Sequence, residues 1–197
     1  LNFKHINMDE RTIKAIAETM RKARDLPRSH ANFFNWHNKE PKEMAICSKF
    51  IRYLINEHGE SFNSIAPGGD PPDCVAKSDG QEIAIEIVEL VDQQAIESQI
   101  HFKDTYQDQD AWTTSKLMGR INDIIQKKDN PSGKNQLKQV YPRYIMLIHT
   151  DEPELTASNF DSLFDETNVK LTELVNEAYL LFSYDPTIEG YPVRRIL

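Results

Sequence analysis

The chain has 197 residues, a formal net charge of −8, 39% hydrophobic and 27% charged residues. This composition excludes a disordered chain and predicts one domain spanning 1–197. No apolar run approaches the ~20 residues that cross a bilayer, and the acidic balance speaks against a protein that coats nucleic acid without discrimination.

The first predicted helix runs from about Asp9 to Arg24, with Asp9 as N-cap and Ile13, Ile16, Ala17, Met20 and Ala23 on one face. "LPRSHANFFNWHNKE" (26–40) reads as a loop whose aromatics pack on the body. A second helix follows from Pro41 to His58, stopped by Gly59, with Met44, Cys47, Ile51, Leu54 and Ile55 facing inward. Three strands are predicted at 61–67, 73–77 and 82–91, the last two joined by the hairpin signal Asp79-Gly80. The third, "EIAIEIVELV", is apolar on both faces and belongs in the middle of a covered sheet.

An acidic loop (103–110) precedes a third helix at 113–128, and "RYIMLIHT" (143–150) is another buried strand. Residues 159–176 read as mainly helical, and 178–186 and 192–197 as closing strands. The predicted fold is α/β: a core at about 41–150, ordered helix-strand-strand-strand-helix-strand, whose central mixed sheet is flanked by helices, with an N-terminal helix and a 155–197 extension.

The two cysteines, Cys47 and Cys74, have no metal-type spacing and read as buried reduced thiols. "LNFKHINMDERTIK" lacks the apolar core of a signal peptide, so a cytoplasmic protein is expected. Charge is uneven. Residues 114–143 carry seven basic and two acidic side chains (+5), and 11–28 carry six and two (+4). Each stretch is either a solvated helix face or a rim that contacts phosphates.

Chemistry concentrates in "GGDPPDCVAKSDGQEIAIEIVEL" (68–90). The Asp79-Gly80 turn folds the strand after Asp73 back along the strand that carries Glu86. A carboxylate among Ile83, Ile85, Ile87 and Val88 is costly unless paired or bound to a cation. Two nearby carboxylates repel unless a divalent ion lies between them, and oxygen ligands suit Mg²⁺ or Mn²⁺. The alternative is a salt bridge from Glu86 to a lysine or arginine.

Pro72-Asp73 on the second strand, Glu86-Ile87-Val88 on the third and the core element order together resemble the PD-(D/E)XK nuclease superfamily, the restriction-endonuclease-like fold. The phrase is similar to that of a group of uncharacterised bacterial proteins with a "PDF…VEVTEL" pattern. The resemblance covers about 41–150. It implies a Mg²⁺- or Mn²⁺-dependent phosphodiesterase that cleaves nucleic acid, DNA more than RNA, with Asp73 and Glu86 holding the metal. Val88 stands where the superfamily has a lysine. Members sometimes take that cation from the following helix, and here Lys128 projects into the stripe of Leu117, Ile121, Ile124 and Ile125, whereas Lys127 lies off it. A lysine snorkelling from a helix end is the plainer reading of Lys128.

Glu89 is expected either to turn through a bulge toward the metal, joining the catalytic set, or to pair with a basic residue on the opposite face. Glu43 stands where many superfamily members keep an extra acidic ligand, and equally complements a helix N-terminus. His149 reads as a packed core residue rather than a base, and no histidine pair has zinc spacing. The glycines of "PGGDPP" lack a P-loop's lysine. Two other classes remain: a catalytically silent nuclease-fold module that binds DNA or a protein partner, and a hydrolase of small molecules or nucleotides. A homodimer would serve duplex cleavage.

Overall fold

The computed structural model describes residues 39–69, 71–92, 111–129, 137, 139–152 and 154–197. The expected helix at 9–24, the basic stretch 11–28, the acidic loop 103–110 and most of the aromatic loop 26–40 lie outside the described residues.

Helix α1 (Lys39–His58) buries Met44, Cys47, Phe50, Ile51 and Leu54, and so extends two residues before Pro41. It ends at Gly59, whose φ of +66° is open to glycine at little cost. Strands β1 (Ser64–Pro67), β2 (Cys74–Ser78) and β3 (Gln81–Glu89) form an antiparallel meander. Asp79 (φ 50°) and Gly80 (φ 79°) make the two-residue turn between β2 and β3, the backbone twist that an Asp-Gly pair favours.

Helix α2 (Thr114–Lys128) then carries the chain across to β4 (Arg143–His149), which runs parallel to β3. Thr113 caps α2, its side chain accepting from the Lys116 amide at 3.2 Å. A short helix α3 (Ala157–Leu163) and a 3₁₀ turn at Glu166–Asn168 precede β5 (Glu177–Leu181), parallel to β4. Strand β6 (Val193–Arg195) closes the sheet antiparallel to β5. The spatial order is β1-β2-β3-β4-β5-β6. The helix-strand-strand-strand-helix-strand order is thus present from α1 to β4.

Two apolar layers cover the sheet. On one side Met44, Phe50 and Leu54 of α1 meet Ile85, Ile87, Ile145 and Leu147. On the other, Leu117, Ile121 and Ile125 of α2 and Phe160 of α3 meet Ala84, Met146, Ile148 and Leu180. Side chains alternate along a strand. Glu86 therefore lies on the α2 side with Ala84 and Val88, whereas Glu89 and His149 lie on the α1 side with Ile87 and Leu147.

Cys47 and Cys74 are buried free thiols that meet in the α1 layer. No described helix is long and apolar enough to cross a membrane.

Two expectations change. Residues 159–176 are not mainly helical: α3 stops at Leu163, and only the three-residue 3₁₀ turn follows. The cause is long-range. Asp129, at the end of α2, accepts from the amides of Glu173 (2.8 Å), Leu174 (2.7 Å) and Val175 (3.0 Å), and Asn122 joins Asn168 and Lys170. These bonds satisfy the backbone in place of helical ones.

Glu152 is buried and accepts from the Asp92 amide at 2.8 Å.

Second, four of the five described basic residues of the stretch 114–143 are engaged with the protein's own acids or carbonyls. Lys116 pairs with Asp92 at 2.6 Å, Arg120 donates to the Val91 carbonyl at 3.3 Å, Lys128 pairs with Glu86 and Arg143 is clamped by Glu60 and Glu177. Lys127 is exposed, and Lys134 and Lys138 lie outside the described residues.

Candidate functional site

The β2–β3 register pairs Cys74 with Ile85, so Asp73 and Glu86 come next to one another at the end of the ladder. Asp73 precedes the first residue of β2. Where the backbone ladder has run out, its Oδ2 accepts from the Ile87 amide at 2.8 Å. Its Oδ1 accepts from Lys39 Nζ at 3.2 Å. The turn that delivers Asp73 is tight. Gly68 N donates to the Asp73 carbonyl at 2.8 Å, and a Cβ on residue 68 would lie 1.9 Å from the Pro72 carbonyl oxygen. Residue 68 must therefore be glycine for the Pro72-Asp73 segment to sit as it does.

Glu86 is 1% exposed and takes a hydrogen bond at Oε1 from Lys128 Nζ. Lys128 closes the last turn of α2, three and four residues after the buried Ile125 and Ile124, and so on their face of the helix. Val88 lies on the same side of the sheet as Glu86, packed against the layer that α2 forms. Tyr144 reports the grouping independently. Burial, then the charge of Glu86, then that of Asp73 raise its phenol, so both carboxylates act on one hydroxyl.

Glu43 joins from α1. Lys39 Nζ lies 3.2 Å from Glu43 Oε1 as well as 3.2 Å from Asp73, an i,i+4 contact that leans both acids on one ammonium. Burial, reinforced by the Asp73 charge, pushes the Glu43 carboxyl up to about 7 against the pull of Lys39. Desolvation opposes the Lys39 charge, but Asp73 and Glu43 overcome it and raise its pKa.

Glu89 stands elsewhere. The β3–β4 register is continuous from Ile83↔Arg143 to Glu89↔His149, so no bulge turns Glu89 toward Glu86. It lies on the α1 side, where its Oε2 is 4.0 Å from Lys42 Nζ, both side chains being less than a tenth exposed. Of the two expectations for Glu89, the structure has the pairing with a basic residue on the opposite face. Its carboxyl is pushed up to about 7 by burial, which the charges of Asp151 and Glu152 reinforce and Lys42 opposes.

His149 lies beside Glu89, with its Nε2 3.4 Å from Asp151 Oδ1. Asp151 also accepts from Ser183 Oγ at 2.5 Å. Burial would raise the Asp151 carboxyl, but the bonds from His149 and Ser183 outweigh it and hold it well below the usual range.

The structure therefore groups Asp73 with Glu43 around Lys39, pairs Glu86 with Lys128, and sets Glu89 apart. Sequence reasoning missed Lys39, Lys42 and Asp151. Lys39 was legible as the i,i+4 partner of Glu43, and Asp151 as the second acid-or-imidazole position after a buried strand. Lys42 had no local signal, because its partner is on β3. Comparison of the chain with protein-family models, with curated proteins and with solved structures finds no match in any of the three.

Proposed function

We propose that this chain is a metal-dependent phosphodiesterase of the PD-(D/E)XK superfamily that hydrolyses nucleic acid, with DNA as substrate. The observation that supports it most is the bond from Lys128 on α2 to Glu86 on β3. It answers the one departure from the superfamily pattern, the valine at position 88.

The donor set suits Mg²⁺ or Mn²⁺: Asp73, Glu86 and Glu43 offer carboxylate oxygens alone, and the mutual repulsion of Glu43 and Asp73 is the kind that a cation relieves. A divalent ion held there supplies Lewis acidity toward a phosphodiester and its attacking water. The protein's part is positioning. The Ile87 amide and Lys39 fix the Asp73 carboxylate, so it cannot rotate away from Glu86. Lys128, anchored by Glu86, presents an ammonium that orients the water and offsets charge as it develops on the phosphoryl group.

The test is cleavage of supercoiled DNA, single-stranded DNA and RNA with Mg²⁺ or Mn²⁺. DNA should be cut by the wild type and left whole by Asp73→Asn. Equal cutting by that variant would remove the reading.

One observation favours a second reading. Lys39 and Lys128 already neutralise Asp73 and Glu86, as in a module whose lysines have replaced the metal. Such a protein would bind DNA or a protein partner without cutting, and neither Mg²⁺ nor Mn²⁺ would change its melting temperature.

A further inference from the structure

The second polar centre has the makings of a metal site of a different kind. Glu89, His149 and Asp151 each offer a ligand atom, and these atoms lie within 4.8 Å of one another. The parallel register Glu89↔His149 places the first two side by side at the carboxyl ends of neighbouring strands, and Asp151 follows two residues on. In open α/β sheets this end of the parallel strands is where ligands gather.

A second observation separates this cluster from acids that merely happen to be close. Glu89 Oε1 and His149 Nδ1 are buried atoms with no hydrogen-bond partner among the described residues. Their side chains are only 7% and 8% exposed. Buried polar atoms are nearly always satisfied, so two orphans on adjacent side chains of one cluster call for a ligand. Asp151 is more open, at 34%, and gives a route in from solvent.

We propose that Glu89, His149 and Asp151 bind a divalent transition ion of the Zn²⁺, Co²⁺ or Mn²⁺ class. The imidazole selects against Mg²⁺ and Ca²⁺, which prefer oxygen alone. One nitrogen and two carboxylates leave a coordination position for water or a phosphate oxygen, as open sites do. The site is separate from Asp73–Glu86, and the proposal stands whether or not the chain is a nuclease. Lys42, 4.0 Å from Glu89, puts a positive charge beside the ion's position and holds its affinity down.

The test is Co²⁺ titration of the full chain after chelator treatment, with Mg²⁺ in excess to occupy sites made only of oxygen. Visible ligand-field bands report a site of low symmetry that includes nitrogen. One equivalent should bind in the wild type, and His149→Gln and Asp151→Asn should each weaken it by at least ~10–100-fold. Asp151→Asn covers the case in which the buried His149 variant does not fold, with the circular dichroism melt as the check. Lys42→Met should tighten binding by about tenfold, since it removes a charge ~4 Å away. Bands unchanged in Asp151→Asn, or absent from the wild type, would overturn the proposal. Asp73→Asn should leave them intact, so failure of the nuclease reading and failure of this one are distinguishable.

Discussion

The two ends of β4 handle charge in opposite ways. At the start of the strand, Arg143 is held by two carboxylates at once: Glu177 takes Nε at 2.5 Å and Nη2 at 2.9 Å, and Glu60 takes Nη1 at 2.6 Å and Nη2 at 3.1 Å. Tyr179 donates to the same Glu177 at 2.6 Å. Four of the five Arg143 N–H donors are used, and the bonds and charges of both acids raise the Arg143 pKa in spite of burial. At the other end, six residues on, His149 stands beside Glu89 and Asp151, Glu89 Oε1 and His149 Nδ1 have no hydrogen-bond partner among the described residues, and two carboxyls nearby, Glu43 and Glu89, are pushed up to about 7. A saturated ion network is what a fold needs from its charges. Buried acids whose pKa values rise toward neutrality, gathered at one end of the sheet, are what a functional site needs. The difference is what points the proposed chemistry to the carboxyl ends of β3 and β4.

The largest expected effect is on catalysis at that end. Lys128→Met keeps most of the stem in the α2 stripe and deletes the ammonium that meets Glu86. DNA cleavage should fall by ~10²–10³, the usual loss for one preorganised charge. The metal-free variant should melt lower, because Glu86 is left buried without its cation, so cleavage is measured by single-turnover assay at a temperature where calorimetry shows the variant folded. Full activity in this variant would break the functional half of the comparison.

The next effect belongs to the saturated end and is purely structural. Arg143→Met leaves Glu60 and Glu177 facing each other without their shared cation. Because the network is only partly buried, the cost should be ~2–4 kcal/mol rather than that of a fully buried pair. Urea unfolding would show it as a lower midpoint with an unchanged slope. Activity per folded molecule should stay at the wild-type level, and a specific loss would mean that the two ends are coupled.

Mg²⁺ or Mn²⁺ should stabilise the wild type, because an ion that binds only the folded chain must do so. At about 100 times its Kd the gain is ~2.7 kcal/mol, or roughly 5–10 °C for a chain of this size. Replacing both Asp73 and Glu86 by their amides should remove the shift. A shift that survives would place the ion elsewhere.

A smaller effect appears in acid. Burial alone would raise the Glu177 carboxyl, but the bonds from Arg143 and Tyr179 outweigh it and hold it below its ordinary 4.5. A depressed carboxylate stabilises the fold above its unfolded pKa and loses that contribution as pH falls through the folded value. Melting temperature should thus drop more steeply below pH 4.5 in the wild type than in Arg143→Met. Parallel curves would show that the network does not act through Glu177.

What the sequence made legible follows the range of the interactions. The Asp79-Gly80 turn is local chemistry, and from it the approach of Asp73 to Glu86 followed. The phase of Lys128 on α2 is likewise local, set by four apolar residues on one helix. The segment after α3 was misread because an aspartate some 44–46 residues earlier in the chain binds its amides. Lys42 and Asp151 escaped notice for the same reason: each acquires meaning only when α1, β3 and β4 are brought together.

The smallest effect expected is the one that tells engagement from charge. Lys127 and Lys128 are sequence neighbours of equal charge at the end of one helix, yet Lys127 is exposed and Lys128 reaches Glu86. If proximity of positive charge to DNA were all that α2 supplied, the two methionine substitutions would cost alike, and both losses would shrink with added salt. If Lys128 acts through its fixed place beside Glu86, Lys127→Met should leave the cleavage rate at saturating DNA unchanged. At most it should weaken binding uniformly across sequences and reduce the salt slope by about 1, the mark of a single phosphate contact. Measuring kcat and KM for both variants at two salt concentrations separates these outcomes. A fall in kcat at Lys127 equal to that at Lys128 would leave Glu86 as nothing more than an ion-pair partner for a basic helix end.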